Sequence, residues 1–251
     1  MHRFFLSQTS LDKETIALCD PQEIHHLKNV LRLKSTQQIR IFNTEGQEIV
    51  GTITLITKNH IEIRRDYVIP LKKKRPMDLV LACAIPKRAK FEFIIEKCTE
   101  LGVAEIIPLK TARTEVLVDN ERVQKKKDRY QTVAVNAAKQ CGRRDVPKIL
   151  PICSIEEVLK SFDQSTLMLV ACLSAVESLL TVLEKQDLKK FKRIIFFIGP
   201  EGDFTKEEVD FARQLGCIGV SLGSTVLKVD TAAIAIVSCA NLYLDHAFNR
   251  V

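Results

Sequence analysis

The strongest constraint on the fold is a regular alternation of apolar runs and helical patterns that begins near residue 78. DLVLACAI and AEIIPL are separated by the helical pattern KFEFIIEKCTELG, and a longer helical pattern follows over about residues 121–141. TLMLVACL, RIIFFIG and IGVSLG continue the series, with helical patterns between and after them. Runs that are apolar throughout indicate strands buried on both faces. Their alternation with helices therefore predicts a parallel α/β sheet.

The first 70 residues have a different pattern. Five short runs rich in β-branched and aromatic residues predict strands that are separated by turns. These runs are RFFL, TIALC, QIRIFN, EIVGTITLIT and HIEIRRDYVI. The run LKKKRP follows them and is a plausible linker. We therefore expect a small β-barrel-like domain over residues 1–72 and an α/β domain over residues 73–251.

One helical pattern, PQEIHHLKNVLRLK, interrupts the N-terminal strands, and Pro21 near its start is typical of a first helical turn. Its apolar positions should share one face. These are Ile24, Leu27, Val30 and Leu31. The other face is basic and carries His25, Lys28, Arg32 and Lys34. The pattern predicts a basic helix on the surface of the first domain.

The chain has 38 Lys and Arg against 31 Asp and Glu, and its net charge of +7 points to an anionic partner, most simply nucleic acid. An ordinary basic cytosolic enzyme is the alternative. The eight cysteines include no CxxC pair and no nearby His at metal-ligand spacing. We therefore expect reduced thiols, a cytoplasmic location and no metal. No apolar run approaches the roughly 20 residues that a membrane span needs, and MHRFFLSQTS does not resemble a signal peptide.

Two turns follow strands of the predicted parallel sheet, GPEGD after RIIFFI and SLGSTVLKVDTA after IGV. Ligands of open α/β sheets bind outside the carboxyl ends of the strands, so these turns could enclose an adenine or a ribose through main-chain groups. No phosphate-loop motif is present, and Glu201 or Asp203 would repel a polyphosphate. A nucleoside-like or cationic ligand is favoured. The alternative is a plain strand-to-helix turn, because Thr205 and Glu208 form a capping box that needs no ligand.

Lys228 and Asp230 precede TAAIAIVSCANLYL, a helical pattern that is apolar on most sides. Asp230 could be the N-cap of this helix, and Lys228 alone is most simply a solvated charge. A helix this apolar must be covered all round, by the core of its domain or by a second subunit.

The segments IGPEGDFTKEEVDFARQLG and VSLGSTVLKVDTAAIAI resemble the signature of the RsmE family, the 16S rRNA uracil-N3 methyltransferases. MHRFF, HHLKNVLRLK, KRAKFEFIIEKCTELGVAEIIPL and AAKQCGRRDVP agree in order and spacing, so the likeness covers essentially the whole chain. The resemblance implies an α/β SPOUT methyltransferase domain with a deep trefoil knot, preceded by a small PUA-like β-barrel domain that binds RNA. It also implies a homodimer.

The resemblance further implies S-adenosylmethionine as the methyl donor. The acceptor would be one uridine of 16S rRNA, position 1498 in the usual numbering, in the assembled small ribosomal subunit. The implied cofactor-binding residues are Ile198, Gly199, Pro200, Glu201, Gly202, Leu222, Gly223, Ser224, Val226, Leu227, Thr231 and Ala232. RNA contact should come from basic positions, and the candidates are Arg3, His26, Arg32, Lys34, Lys87, Arg88, Lys90, Arg113, Gln140, Arg143 and Arg144. The motif match favours Lys90, Arg113, Gln140 and Arg143 among them. Each exposed cation among them has a solvated surface position as its alternative.

Two residues are candidates for the chemistry of methyl transfer. Uridine N3 holds a proton that must leave, and the resulting anion spreads over O2 and O4. Lys228 would stabilise that anion, and Asp230 would take the proton.

The chain departs from the usual family pattern in both turns. The family usually reads GPEGG and LGPRILRTETA, whereas this chain reads GPEGD and LGSTVLKVDTA. Lys228 cannot make the bidentate contact of the usual Arg. Two alternatives therefore stand beside the methyltransferase: a catalytically impaired RNA-binding or ribosome-assembly factor with the same fold, and a SPOUT methyltransferase for another RNA site.

Overall fold

The computed structural model describes residues 1–7, 10–70, 76–86, 90–114 and 120–248, with side chains in the last range from residue 123 onward. The chain divides into two compact units. Unit 1 consists of Met1–Lys74 and Ala138–Val146, and unit 2 of Arg75–Ala137 and Pro147–Val251. The local patterns of the sequence predicted a division after residue 72, and they contain no signal for the second segment of unit 1. Local patterns predict a helix end but carry no information about which sheet that end contacts.

Unit 1 is built on a five-stranded sheet within its described residues, in the order β1-β3-β4-β5-β2. The strands are β1 (Arg3–Leu6), β2 (Thr15–Leu18), β3 (Gln38–Asn43), β4 (Glu48–Ile56) and β5 (Ile61–Ile69). The pair β1–β3 is parallel and the other pairs are antiparallel. Alternate positions such as Ile39 and Ile41 point into one apolar core, as the period of two predicts. All five predicted N-terminal strands are confirmed.

The predicted helix over residues 21–34 is shorter and irregular. Helix α1 (Pro21–His25) begins at Asp20, whose side chain accepts a hydrogen bond from the Gln22 N–H at 2.8 Å. It continues as a π-helical turn, His26–Val30, in which the Leu31 N–H donates to the His26 carbonyl five residues earlier.

This turn changes the apolar face that the sequence predicted. A wider turn changes the direction of the side chains within it, and the Val30 side chain is 60% exposed. The prediction that Val30 shares the buried face of Ile24 and Leu27 was therefore wrong. Arg32, with φ of 52°, adopts the left-handed conformation just after the turn, where a helix cannot continue.

A buried ion cluster lies in unit 1 around Glu48, whose side chain is 2% exposed. Its carboxylate is 2.9 Å from Arg3 Nε and 3.0 Å from Arg144 Nε. The Arg3 guanidinium also donates to the carbonyls of Ala138 at 2.9 Å and Arg143 at 3.0 Å. Cations near a helix C-terminus satisfy its last carbonyls. The Glu48 cluster thus joins β1, β4 and the segment Ala138–Val146 within this unit.

Gly51 leaves no room for a side chain between β4 and β5, at a register shift of the two strands. A Cβ atom there would lie 2.5 Å from Ile63 Cγ2 and 2.8 Å from the Arg64 carbonyl oxygen. We expect Gly51→Ala to lower the free energy of unfolding by about 1–3 kcal/mol, because the backbone of β5 must move. Thermal denaturation measures this loss.

Gly46→Ala is the matched control for that variant. Gly46 has φ of 78° with nothing within 4 Å of the added Cβ, so its cost arises from backbone conformation alone, about 1 kcal/mol. A Gly51→Ala protein that melts with the wild type would contradict the close packing of β4 on β5.

The described part of unit 2 contains a parallel sheet in the order β12-β10-β11-β6-β7-β8, with the short β9 paired to β7. Its strands are β6 (Asp78–Ala84), β7 (Glu105–Lys110), β8 (Lys148–Ile149), β9 (Cys153–Ser154), β10 (Thr166–Ala171), β11 (Arg193–Ile198) and β12 (Ile218–Val220). The helices are α2 (Lys90–Glu100), α3 (Asn120–Cys141), α4 (Ile155–Ser161), α5 (Leu179–Lys185), α6 (Lys206–Gln214) and α7 (Val229–Phe248), and residues 138–141 at the end of α3 belong to unit 1. The predicted parallel α/β sheet is confirmed.

Helix α7 packs one side into unit 2, against α2, β6 and β11. Its other side is open in the described structure, where Leu242 is 67% exposed. By length and composition α7 is the one helix among the described residues that could cross a membrane. This differs from the expectation that no apolar run is long enough. Ala233, Ile236 and Val237 of α7 are buried, as in a helix that packs into the core of its own domain.

Candidate functional site

A cavity of about 310 Å³ lies in unit 2 at the carboxyl ends of β10, β11 and β12. Three loops enclose it, one after each of these strands. The loops after β11 and β12 are the two turns that the sequence analysis placed at this edge of the sheet. The loop after β10 is the third wall, and the first turn of α7 completes the lining through Val229 and Ala232.

Most of the predicted cofactor-binding residues line this cavity. They are Ile198, Gly199, Pro200, Glu201, Leu222, Gly223, Ser224, Val226, Leu227 and Ala232. Gly202 and Thr231 were predicted as well but are not among the lining residues. The lining residues that were not predicted from the sequence are Ala171, Cys172, Leu173, Asp203, Val220, Ser221, Thr225 and Val229. The end of TLMLVACL offered a signal for three of them, because neighbouring parallel strands end at the same edge of a sheet.

The loop after β11 is a tight turn that serves two purposes. The Asp203 N–H donates to the Pro200 carbonyl at 2.9 Å. A Cβ on Gly199 would lie 3.0 Å from the Phe204 nitrogen, so glycine permits this close approach. The capping box is also present, with Thr205 and Glu208 bonded reciprocally. The turn is therefore both a helix start and a cavity wall, and the two sequence interpretations do not exclude each other.

The charge of the lining is negative. Glu201 and Asp203 are its two carboxylates, and the described lining contains no Lys, Arg or His. Burial raises the pKa of the nearby Cys83 thiol well above its usual range, and the negative charges of Glu201 and Asp230 add to this effect. Such a site suits a cationic or nucleoside-like ligand and lacks the donors of a polyphosphate site.

Asp230 lies in the first turn of α7 and is not its N-cap. The helix begins at Val229, and the Ala232 N–H donates to the Lys228 carbonyl at 2.8 Å. Asp230 Oδ2 is 3.5 Å from Lys90 Nζ, at the start of α2. Asp230 Oδ1 is buried and has no hydrogen-bond partner among the described residues. The interpretation of Asp230 as a cap was wrong, and an unsatisfied buried oxygen of this kind can accept a hydrogen bond from a bound molecule.

Lys228 precedes that turn, and its side chain is exposed. It does not line the cavity, although Leu227 and Val229 on either side of it do. The structure therefore places the two catalytic candidates differently: Asp230 is largely buried beside Lys90, and Lys228 faces outward.

The residues predicted to bind RNA fall into several groups. Lys87 and Arg88 lie outside the described residues. Lys90 is paired with Asp230, and the Arg113 guanidinium donates to the Gly202 carbonyl. Arg3 and Arg144 belong to the Glu48 cluster, and Arg143 is paired with Asp145 at 2.7 Å. These side chains have partners within their own units, a structural role that charge and motif alone do not reveal.

The remaining predicted RNA contacts lie in unit 1. Arg32, Lys34 and Gln140 are exposed. His26 is half-buried with its ring centroid 5.9 Å from that of Phe4, and burial lowers its pKa, followed by the charges of neighbouring basic residues. A histidine of this kind is neutral at pH 7 and can donate a hydrogen bond but supplies no charge.

Comparison with known proteins gives a consistent result. A family model described as an RNA methyltransferase domain matches residues 73–241, and one described as an RNA methyltransferase PUA domain matches residues 18–64. The chain is 30% identical to the ribosomal RNA small subunit methyltransferase E of Rickettsia conorii, covering 98% of this chain and 97% of the relative. The corresponding protein of Bacillus subtilis is 26% identical, with 95% of each chain covered.

A solved structure agrees with these relatives. The ribosomal RNA small subunit methyltransferase E of Neisseria gonorrhoeae, bound to S-adenosylmethionine, is 27% identical to this chain. The two structures match with a TM-score of 0.86 over 97% of this chain and 98% of the other.

Proposed function

The chain belongs to the ribosomal RNA small subunit methyltransferase E family, and we propose that this S-adenosylmethionine-dependent rRNA methyltransferase modifies N3 of a single uridine in 16S rRNA. The observation that supports the proposal most is the cavity at the ends of β10, β11 and β12. It is lined by ten of the twelve residues that the family resemblance implied for the cofactor. The family motif and the cavity geometry both indicate the loops after β11 and β12 as the cofactor site.

The residues of the cavity fit the methyl donor. S-adenosylmethionine supplies, when bound, a methyl group on a positively charged sulfur. Glu201 and Asp203 make the lining acidic, which favours a cation. The glycine at position 199 permits the tight turn that forms one wall of the cavity. Leu222, Val226 and Leu227 give an apolar surface for a purine.

Asp230 is the residue that we propose to accept the uracil N3 proton. Its Oδ1 atom is buried and unpartnered among the described residues, while Lys90 holds Oδ2. Because Lys90 occupies Oδ2, Oδ1 is the oxygen that would accept the proton once the RNA substrate is bound. Lys228 would lie near the uracil oxygens and stabilise the negative charge left on O2 and O4. Its exposed position leaves it free to approach an RNA substrate that binds from outside.

Unit 1 is the candidate RNA-binding unit, because the PUA model matches within it. We propose that its sheet forms the small barrel that the family resemblance implies. The exposed Arg32 and Lys34, just after the π-helical turn, would contact phosphates. For unit 2 we propose the deep trefoil knot of the family. In support, β10 lies between β11 and β12 in the sheet, although both follow it in the chain.

A homodimer in the cytoplasm is the proposed working form, with the assembled small ribosomal subunit as its substrate. Exposed apolar side chains of unit 2 support the dimer. Val176 is 96% exposed, Val226 75% and Leu242 67%. A helix as apolar as α7 needs cover on all sides, and a second copy would supply that cover on its open side.

The test uses small ribosomal subunits from cells that lack this protein. We expect incubation with the purified protein and S-adenosylmethionine to produce one new reverse-transcriptase stop at a uridine of 16S rRNA. Methylation at N3 blocks the Watson–Crick edge, so the polymerase cannot pass. Subunits incubated without the cofactor are the control.

The other outcomes distinguish the alternatives. Cofactor binding without a stop would favour a methyltransferase for another RNA site. Neither binding nor a stop would favour a non-catalytic ribosome-assembly factor, with the altered LGSTVLKVD loop as its cause.

A further inference from the structure

We propose that Asp203 is a cofactor-positioning residue, whose carboxylate ties the loop after β10 to the turn after β11 and holds Leu173 as a wall of the cavity. The inference rests on the proposed function, because it takes the methyl donor as the occupant of the cavity. It concerns the position at which this chain departs from the GPEGG pattern that is usual in the family.

Asp203 makes hydrogen bonds that a glycine at this position cannot make. Its Oδ1 accepts a hydrogen bond from the Phe204 N–H at 2.8 Å, and its Oδ2 accepts one from the Leu173 N–H at 3.1 Å. Its own N–H donates to the Pro200 carbonyl at 2.9 Å. With φ of 60°, the backbone is in the left-handed region, which aspartate tolerates better than most residues. The side chain thus bridges two of the three cavity loops.

The loop after β10 depends on this bridge for its position beside the cavity. The Cys172 N–H donates to the Val220 carbonyl at 3.3 Å, which anchors the start of the loop to β12. One residue further along, the Leu173 N–H donates to Asp203. The Leu173 side chain is 66% exposed yet lines the cavity, so packing alone does not hold it. The Asp203 carboxylate therefore orders an apolar wall before the ligand arrives.

Ordering the wall in advance should increase affinity, because the cost of fixing a loop on binding is then removed. A glycine at position 203 would adopt the same backbone angle without strain but would supply no acceptor. The competing explanation is that aspartate is merely tolerated in the left-handed conformation and contributes nothing to the site. Reversion to the usual residue separates the two explanations.

The experiment compares the wild type with Asp203→Gly and Asp203→Asn. Calorimetric titration with S-adenosylmethionine should show about tenfold weaker binding for the glycine variant. The affinity of the asparagine variant should lie between those of the wild type and the glycine variant, because its amide can replace only one of the two accepting oxygens. Hydrogen exchange of the Leu173 amide, measured without cofactor, should be faster in the glycine variant. This second readout reports on the loop itself.

Two further variants sharpen the result. Asp210→Asn removes another carboxylate, on α6 and 3.6 Å from Arg213, and should leave binding unchanged. Leu173→Ala, alone and combined with Asp203→Gly, completes a double-mutant cycle. If Asp203 acts through Leu173, the fold-loss of S-adenosylmethionine affinity in the double variant should be smaller than the product of the fold-losses in the two single variants.

The glycine variant decides the proposal. Wild-type affinity together with unchanged exchange of the Leu173 amide would overturn it, and so would fully independent losses in the cycle. A wild-type protein that does not bind S-adenosylmethionine would instead refute the proposed function, and the cofactor role of Asp203 with it. The Asp203 proposal fails by itself only if the wild-type protein binds S-adenosylmethionine and the glycine variant binds it equally well.

Discussion

Replacing Asp230 with asparagine should lower the rate of methyl transfer by about 10²–10⁴-fold, the range for loss of a general base. Asparagine has nearly the same shape but cannot take a proton from uracil N3. Asp230 does not cap α7, so the helix should form normally in the variant. S-adenosylmethionine affinity should stay within about twofold, because Asp230 does not line the cavity. Single-turnover methylation of small subunits measures the chemical step.

The control for that variant is Asp245→Asn, near the other end of the same helix. It makes the same chemical change far along α7 and should methylate at the wild-type rate. Full activity of the Asp230→Asn protein would rule out the general-base role. The buried Oδ1 would then be a cost that unit 2 tolerates, with Lys90 as its partial compensation.

Glu48→Gln should lower the free energy of unfolding by about 3–5 kcal/mol, the cost of breaking a buried ion pair by removing one partner. The Glu48 carboxylate faces Arg3 at 2.9 Å and Arg144 at 3.0 Å, and all three side chains are largely buried. Glutamine is neutral, so two guanidinium groups would remain without a counter-charge. Chemical denaturation followed by circular dichroism measures the loss.

Hydrogen exchange should place that loss in unit 1, with faster exchange in β3 and β4 than in the parallel sheet of unit 2. Glu62→Gln is the matched control, because the Glu62 side chain is exposed and its carboxylate lies 3.5 Å from the half-exposed His60 ring. Glu62→Gln should change the free energy of unfolding by less than about 0.5 kcal/mol. If Glu48→Gln and Glu62→Gln unfold alike, the Glu48 cluster contributes no stability to unit 1.

The secondary structure and the general place of the site could be predicted from the sequence. The strands of both units could be predicted from their apolar runs. A strand buried on one face has alternating apolar residues, and a strand buried on both faces is apolar throughout. GPEGD and SLGSTVLKVDTA were placed at the carboxyl edge of the sheet because parallel strands bring such turns together. Ten of the twelve residues implied for the cofactor line the cavity for this reason.

Local patterns failed where a backbone irregularity intervened. The sequence placed Val30 on the buried face of a regular helix, but Val30 lies within the π-helical turn His26–Val30 and is 60% exposed. One additional residue in a helical turn changes the side of the helix on which each later side chain lies. The periodicity of a short segment does not reveal such a turn.

The roles of the charged residues were decided only by the tertiary structure. Arg3, Lys90 and Arg144 were predicted to bind RNA from their charge and motifs, yet each has a carboxylate partner distant in sequence. Asp203 appeared as a departure from a family pattern, and only the fold brings its carboxylate to the Leu173 amide. A sequence records burial and turn preferences because these act between neighbours along the chain. Ion pairs and loop contacts depend on which distant residues the packed sheets bring together.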